Sequence, residues 1–318
     1  MKITESLVVL AVGAATLSLA SCSAEAGAAA DGVVTVGTLR AQPHLYTPYL
    51  YDEFAPEGVD VEIVLFDTSS DIKNAVVSGS VDFGVTGVAS VIAGVADGQD
   101  VTVVASSADG GTRIVASPDI LTPQDLTGAK IGYPMGATQE IVLKRTLEAA
   151  GIDPMNDVEL VNLPFADMAA AYDSGQIDAF ISAEVGPSIA IQGGAHELMT
   201  AYDTAIGRTN IVLATTNALI DADPELVQQV VDMHVGATEA LAADPDAWAQ
   251  GLVDEFGLDR AVVDTAVENI WPRWDLDADY TATLEAMSSE MLDFDQISAP
   301  AGLDALVDDE FVSERSEG

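Results

Sequence analysis

Residues 133–143 read YPMGATQEIVL, where a glycine, a hydroxyl and an amide side chain lead into the apolar spacing of a helix. Gly136 carries no Cβ, so the backbone there can approach a partner closely. The amides of Ala137, Thr138 and Gln139 fall in a first helical turn, where no intrahelical acceptor exists. The positive end of the helix dipole stands behind them, and the Thr138 hydroxyl adds a donor. Such a turn can hold an oxyanion without a cation. Sulfonate, nitrate and carboxylate suit it, and so do a neutral carbonyl or a ring nitrogen. The same residues allow a second arrangement, in which Thr138 caps its own helix and Gln139 faces water. No Lys or Arg lies in the turn and no GK[ST] follows the glycine, which separates it from a P-loop.

Other groupings offer little chemistry. The chain has no GxSxG elbow, no HExxH and no CxxC. His44, His196 and His234 lie far apart and in no zinc-ligand spacing. No catalytic residue, metal or cofactor is therefore expected. Cys22 is the only cysteine. It follows Lys2, the apolar run LVVLAVGAATLSLA (7–20) and Ser21. That run is short for a bilayer span and right for a signal-peptide core. Leu19-Ala20-Ser21-Cys22 matches a bacterial lipobox, and lipidation gives the lone thiol a purpose. Residues 1–21 read as a lipoprotein signal peptide and 22–32 as a flexible tether. The expected location is the periplasm or the outer face of the cell membrane, with a lipid anchor at Cys22.

The elements that must position the turn are also legible. The chain has 318 residues, 49% of them hydrophobic, enough for about two domains. Its 11 Lys+Arg against 52 Asp+Glu give a formal charge of −41, which excludes electrostatic binding of nucleic acid or anionic lipid. From residue 33 strands and helices alternate. Strands are expected at 33–40, 59–66, 81–87 and 101–107, with helices at 44–54, 70–78 and 90–98. This rhythm argues for a parallel α/β sheet. A second cycle has a strand at 113–119, then within 121–134 a short helix capped by Thr122 followed by a strand, then strands at 158–164, 177–184 and 209–216, with helices from Thr138 to about residue 150 and at 166–176. After it the period is helical, over 224–245, 246–257, 260–271 and 280–292.

In these segments the chain resembles the solute-binding lipoproteins of ABC importers, in the nitrate/sulfonate/taurine and thiamine-precursor group called SsuA/THI5-like or NMT1-like. The pattern D-L-x-G-x-x-I-G-x-P-x-G-x-T-Q (125–139) carries most of the likeness. VTVGTLRAQPHLYTPYL, VSGSVDFGVTGVASVIAGVADGQDVTVVAS, NLPFADMAAAYDSGQIDAFISAEVGPSIA and DADPELVQQVVDMHVGATEAL match in the same order, so the likeness spans roughly 33–310. It implies a type II periplasmic-binding-protein fold, with two α/β lobes joined by two crossover strands. Lobe one would be 33–116 plus 214–318 and lobe two 117–213. The crossovers would fall near RIVASPD and IVLATT, with the C-terminal helices packed on lobe one.

The resemblance implies capture of a small polar solute by a monomer, hinge closure, and delivery to ABC permease subunits. The ligand would meet Gly136, Ala137, Thr138 and Gln139 on lobe two. On lobe one it would meet Gln42 and His44 after the first strand, Thr86 and Gly87 after the third, and Gly111 and Thr112 after the fourth. Glu184 falls where the family has a W-E-P motif. Here the tryptophan is Ala183 and the proline comes late, at Pro187, so the pocket is reshaped. A solute with an amine would make Glu184 its partner. Arg113 fits a hinge-region ion pair better than an anion ligand. Tyr46, Tyr49, Tyr51 and Tyr133 read as core more readily than as stacking surface. The competing expectations are a lipid-anchored interaction or sensor protein using the same cleft, and an enzyme of thiamine-pyrimidine synthesis type. The second lacks the cysteine-rich motif such an enzyme uses.

Overall fold

The structure is a computed structural model that describes residues 32–316. The signal peptide, Cys22 and the tether up to residue 31 lie outside the described residues. The strands form two sheets. The first has the order β2-β1-β3-β10-β4-β11: β1 Val33–Leu39, β2 Asp60–Phe66, β3 Phe83–Gly87, β4 Thr102–Gly110, β10 Thr209–Thr215 and β11 Ile270–Pro272. The second has the order β7-β6-β8-β5-β9: β5 Thr112–Ala116, β6 Lys130–Tyr133, β7 Glu159–Asn162, β8 Ala179–Ala183 and β9 His196–Met199.

Neither sheet is purely parallel, which corrects the expectation. β1 runs parallel to β2 and β3, and β6 parallel to β7 and β8. But β10 is antiparallel to both β3 and β4, and β5 is antiparallel to both β8 and β9. These reversed strands flank the passages between sheets. β4 ends at Gly110 and β5 begins at Thr112, so the first crossing is Gly110–Gly111, both at positive φ (79° and 69°). The return falls in 200–208, between β9 and β10. The strands of sheet one thus come from 33–110 and 209–272 and those of sheet two from 112–199, earlier than the expected boundaries at 116 and 213. At the crossing, a Cβ on Gly110 would stand 2.5 Å from the Trp271 ring, and the Arg208 guanidinium lies over the same ring, 3.8 Å from its centroid.

The helices are α1 Tyr51–Phe54, α2 Ser69–Val77, α3 Val88–Ala96, α4 Thr138–Ala149, α5 Met168–Asp173, α6 Gly186–Gln192, α7 Asn217–Ala222, α8 Pro224–Ala243, α9 Pro245–Phe256, α10 Arg260–Val267, α11 Ala278–Asp293, α12 Leu303–Leu306 and α13 Glu310–Ser316. The expected helix at 44–54 is instead two 3-10 turns, Pro43–Leu45 and Thr47–Leu50, before α1. Pro43 and Pro48 fix φ and lack N–H donors, which favours short turns over a continuous helix. The helix expected to reach 271 stops at Val267, because 270–272 instead pair with the edge of β4. α8, α9, α10 and α11 each begin on an aspartate: Asp223, Asp244, Asp259 and Asp277 accept from backbone amides at 2.7–3.0 Å. Each such cap contributes about 1 kcal/mol and gives part of the acidic surface a structural role. α8 packs on β4 and β11, and α11 on α3 and β10, so the late helices belong with sheet one. In that core Tyr51 and His234 are fully buried. The Tyr51 hydroxyl meets His234 Nδ1 at 2.7 Å, and His234 Nε2 meets the Ser106 carbonyl at 2.7 Å.

Candidate functional site

A narrow hollow of about 10 Å³, room for about one water, lies between the sheets, walled by Leu39, His44, Ser69, Gly87, Ala89, Ser90, Ala137, Thr138, Gln139, Phe165, Ala183, Asn210 and Ile211. Its position follows from the sheets. β1 and β3 end here, and α2, α3 and α4 start here. Three helices therefore turn their positive dipole ends toward one small space; of the three, α2 is capped by Thr68, whose hydroxyl accepts from Asp71 N at 3.1 Å. All thirteen wall residues are uncharged at neutral pH apart from the option of protonating His44, so the polarity of the hollow comes from amides, hydroxyls and dipoles.

The start of α4 decides between the two arrangements the sequence allowed. Its N-cap, Ala137, is extended and supplies no side-chain cap. Thr138 is the first helical residue and is buried; its Oγ1 has no hydrogen-bond partner among the described residues. Gln139 is 2% exposed, and its Nε2 donates to Thr112 Oγ1 at 2.9 Å. Self-capping by Thr138 and a solvent-facing Gln139 are thus both excluded. An unpartnered buried hydroxyl costs about 1–3 kcal/mol, which a bound acceptor would remove.

Gly136 departs from expectation. Its φ is +77° and a Cβ there would meet nothing, so the glycine is needed for backbone conformation rather than for space. Its amide donates to Glu140 Oε2 at 2.7 Å, and Glu140 Oε1 accepts from Lys144 at 2.7 Å. Gly136 lies in an outer mouth beside Ser69 and Phe165, not in the wall of the hollow.

On the facing side, His44 is buried, and burial lowers its pKa to about 3, so the ring is neutral. Its Nδ1 has no partner among the described residues. The ring lies against the crossing, 3.2 Å from where a Cβ on Gly111 would stand. Gly87 lines the hollow and its amide donates to Ser69 Oγ at 3.2 Å. Thr86 is buried behind the wall, donating to the Ser69 carbonyl at 3.1 Å; it orients the start of α2. Gln42 lies in a second outer mouth with Arg40, and its buried Oε1 is unpartnered among the described residues. Thr112 reaches the hollow only through Gln139.

Glu184 is the largest correction. It is fully buried and occupied: Arg113 Nε at 2.7 Å, Ser188 Oγ at 2.7 Å, Ser188 N at 3.2 Å and Asn269 Nδ2 at 3.3 Å. Burial pushes its carboxyl up, and Ser188, Arg113 and Asn269 hold it back. No oxygen is left for an amine of a solute. Arg113 also donates to Glu197 at 2.6 Å and to the Thr265 carbonyl at 3.1 Å, so it is the hinge-region ion pair anticipated from the sequence. The tyrosines pack elsewhere. Tyr46 and Tyr49 stack at 5.1 Å and meet Phe256, and Tyr133 is buried outside the hollow.

Sequence reasoning missed Ser69, Phe165 and Asn210, while Ser90, at the start of α3, and Ala183, in place of the family tryptophan, do line the hollow. Ser69 had a signal, since it sits in a first helical turn after a strand. Asn210 and Phe165 had none: tertiary folding brings them in. Phe165 borders the hollow and both outer mouths, so one ring separates the interior from the openings. Among the described residues, no group of His, Cys, Asp and Glu could hold a metal ion, and no helix is long and apolar enough to cross a membrane.

Two lobes around a donor-lined hollow define the class, the periplasmic-binding-protein fold. The chain belongs to the NMT1/THI5-like family, whose pattern matches residues 52–248. A formylaminopyrimidine-binding protein of Halalkalibacterium halodurans is 26% identical over 245 residues, covering 73% of this chain and 74% of that protein. The alkanesulfonate-binding protein SsuA of Xanthomonas axonopodis pv. citri, bound to MOPS, superposes with a TM-score of 0.76 at 22% identity, over 88% of this chain and 99% of that one. The periplasmic nitrate-binding protein NrtA of Synechocystis gives 0.72 at 14% identity, over 90% and 88%.

Proposed function

We propose that this protein captures a small oxyanionic solute in the hollow, which widens as the lobes part and narrows again around the solute, and delivers it to an ABC permease. It works outside the cytoplasm as a monomer tethered through a lipid on Cys22. The observation that carries this reading is the start of α4, where a buried Thr138 hydroxyl without a partner meets uncapped amides. The N-termini of α2 and α3 add to the same positive field, and no carboxylate lines the wall to repel an anion. A neutral pyrimidine is the second reading. It is favoured by the neutral, unpartnered His44 Nδ1 and by the 26% identical relative, whose name carries that ligand. Taurine is disfavoured, because its amine would need Glu184.

Thermal unfolding against nitrate, methanesulfonate, taurine and formylaminopyrimidine, at low and high salt, tests this. A ligand at 100 times its Kd adds about 2.7 kcal/mol of stability. Stabilisation by methanesulfonate or nitrate supports the oxyanion reading, and stabilisation by the pyrimidine alone replaces it. Thr138→Val keeps the shape, removes the donor and weakens binding by about 1–3 kcal/mol, with the unfolding of the unliganded chain little changed. Unaltered affinity in that variant removes the turn from the site.

A further inference from the structure

We propose that Arg145 is a positioning residue that latches the site helix α4 to the opposite lobe; this rests on the reading of the hollow as a solute site. α4 packs on β6 and β8 of sheet two, while α11 packs with sheet one. Arg145 lies two turns along α4 from Thr138 and bridges the two. Its Nε pairs with Glu290 and its Nη2 with Asp293 at 2.8 Å, both on α11. Its guanidinium also sits 4.3 Å from the Phe294 ring centroid, just past the end of α11. Glu148 of α4 accepts from Nη1 at 2.8 Å, which fixes the fork in the direction of α11.

The contact runs back to the site through adjacent atoms. Lys144 Nζ lies 5.1 Å from the same Phe294 ring and pairs with Glu140 at 2.7 Å. Glu140 in turn accepts from the Gly136 amide at 2.7 Å. An aromatic ring of one lobe is thus linked, through one lysine and one carboxylate, to the turn that opens the binding helix of the other. The pairs are partly exposed, with side-chain exposures of 26% for Arg145, 18% for Glu290 and 63% for Asp293. Such contacts can form and break as the lobes move, which a sealed ion pair cannot do cheaply. Two carboxylates and a ring on one guanidinium shift the closed population on the order of tenfold.

The test uses the full chain. Arg145→Gln keeps the stem and removes the charge. Methanesulfonate affinity and the solute-free radius of gyration are measured together. If the free chain is mostly open, loss of the latch appears as weaker binding; if mostly closed, it appears as a larger radius. The expected result is an affinity about tenfold weaker or a clear expansion. Glu290→Gln with Asp293→Asn, on the other lobe, gives the same change, and adding Arg145→Gln to that pair brings little further change. Unchanged affinity together with unchanged scattering overturns the latch. So does full additivity of Arg145→Gln with the Glu290→Gln, Asp293→Asn pair when circular dichroism shows the triple variant folded. If methanesulfonate does not bind the wild type, the oxyanion reading fails and the scattering alone decides the latch.

Discussion

Two arginines join the lobes, and they do so in opposite ways. Arg113 lies beside the Gly110–Gly111 crossing and meets a carboxylate that is 0% exposed, along with Glu197 and the Thr265 carbonyl. Arg145 lies along α4 and meets carboxylates that keep contact with water. In the inner pair, Glu184 is also held by further donors, Ser188 and Asn269, so the buried carboxylate does not depend on Arg113 alone. The outer one depends on the two lobes being together. A buried ion pair whose members are fully satisfied serves architecture, because breaking it strands a charge in low dielectric. A half-exposed one is weak enough to act as a switchable contact. Residue type does not separate these roles; surroundings do.

The comparison breaks most visibly at the inner seam. Arg113→Met leaves Glu184 buried and unpaired and is expected to cost about 3–5 kcal/mol. Denaturant unfolding reads this, and adding Glu184→Met recovers much of it. A single variant as stable as the wild type would move Arg113 into the class of Arg145. Acid probes the same neighbourhood through His44, whose ring rests on Gly111. His44 and His234 have folded pKa values lowered by burial to about 3 and about 4. A depressed folded value means stability that is complete above the unfolded value near 6.5 and is lost as pH falls toward the folded one. Each histidine should cost on the order of 2 kcal/mol by pH 5. Unfolding at pH 7 and pH 5 measures this, and His44→Gln should flatten the loss. The smallest effect sharpens the contrast. Glu290→Gln with Asp293→Asn should change unfolding stability by less than about 1 kcal/mol while still altering closure. A loss as large as that of Arg113→Met would end the distinction between the seams.

What the sequence revealed follows from what is local. Strands β1 to β8 and β10 and the start of α4 at Thr138 depend on neighbours a few residues away, so their patterns are visible, while β9 was not expected and Pro245 opens α9 where the sequence pattern had it close the helix before. The amide turn and His44 were legible as site candidates for the same reason: each follows a strand end. Long-range facts were hidden. That Glu184 is spent depends on Asn269, 85 residues away. That the sheets are mixed depends on where the chain crosses, at Gly110–Gly111 and again in 200–208, far apart in sequence. β11 forms because β4 offers an edge, against a helical pattern in its own sequence. Gly136 misled for a subtler reason: the carboxylate that takes its amide sits four residues on, in a position that also reads as an ordinary first-turn acid.

The Trp271 indole touches the crossing itself, packed against Gly110 and covered by Arg208. An indole beside a bending backbone and under a cation changes its emission when that geometry changes. The molecule therefore carries a native optical gauge at the crossing between its sheets. The proposed closure would show in its emission with no dye and no introduced cysteine, once Trp248 and Trp274, the two other tryptophans, are replaced to leave one reporter.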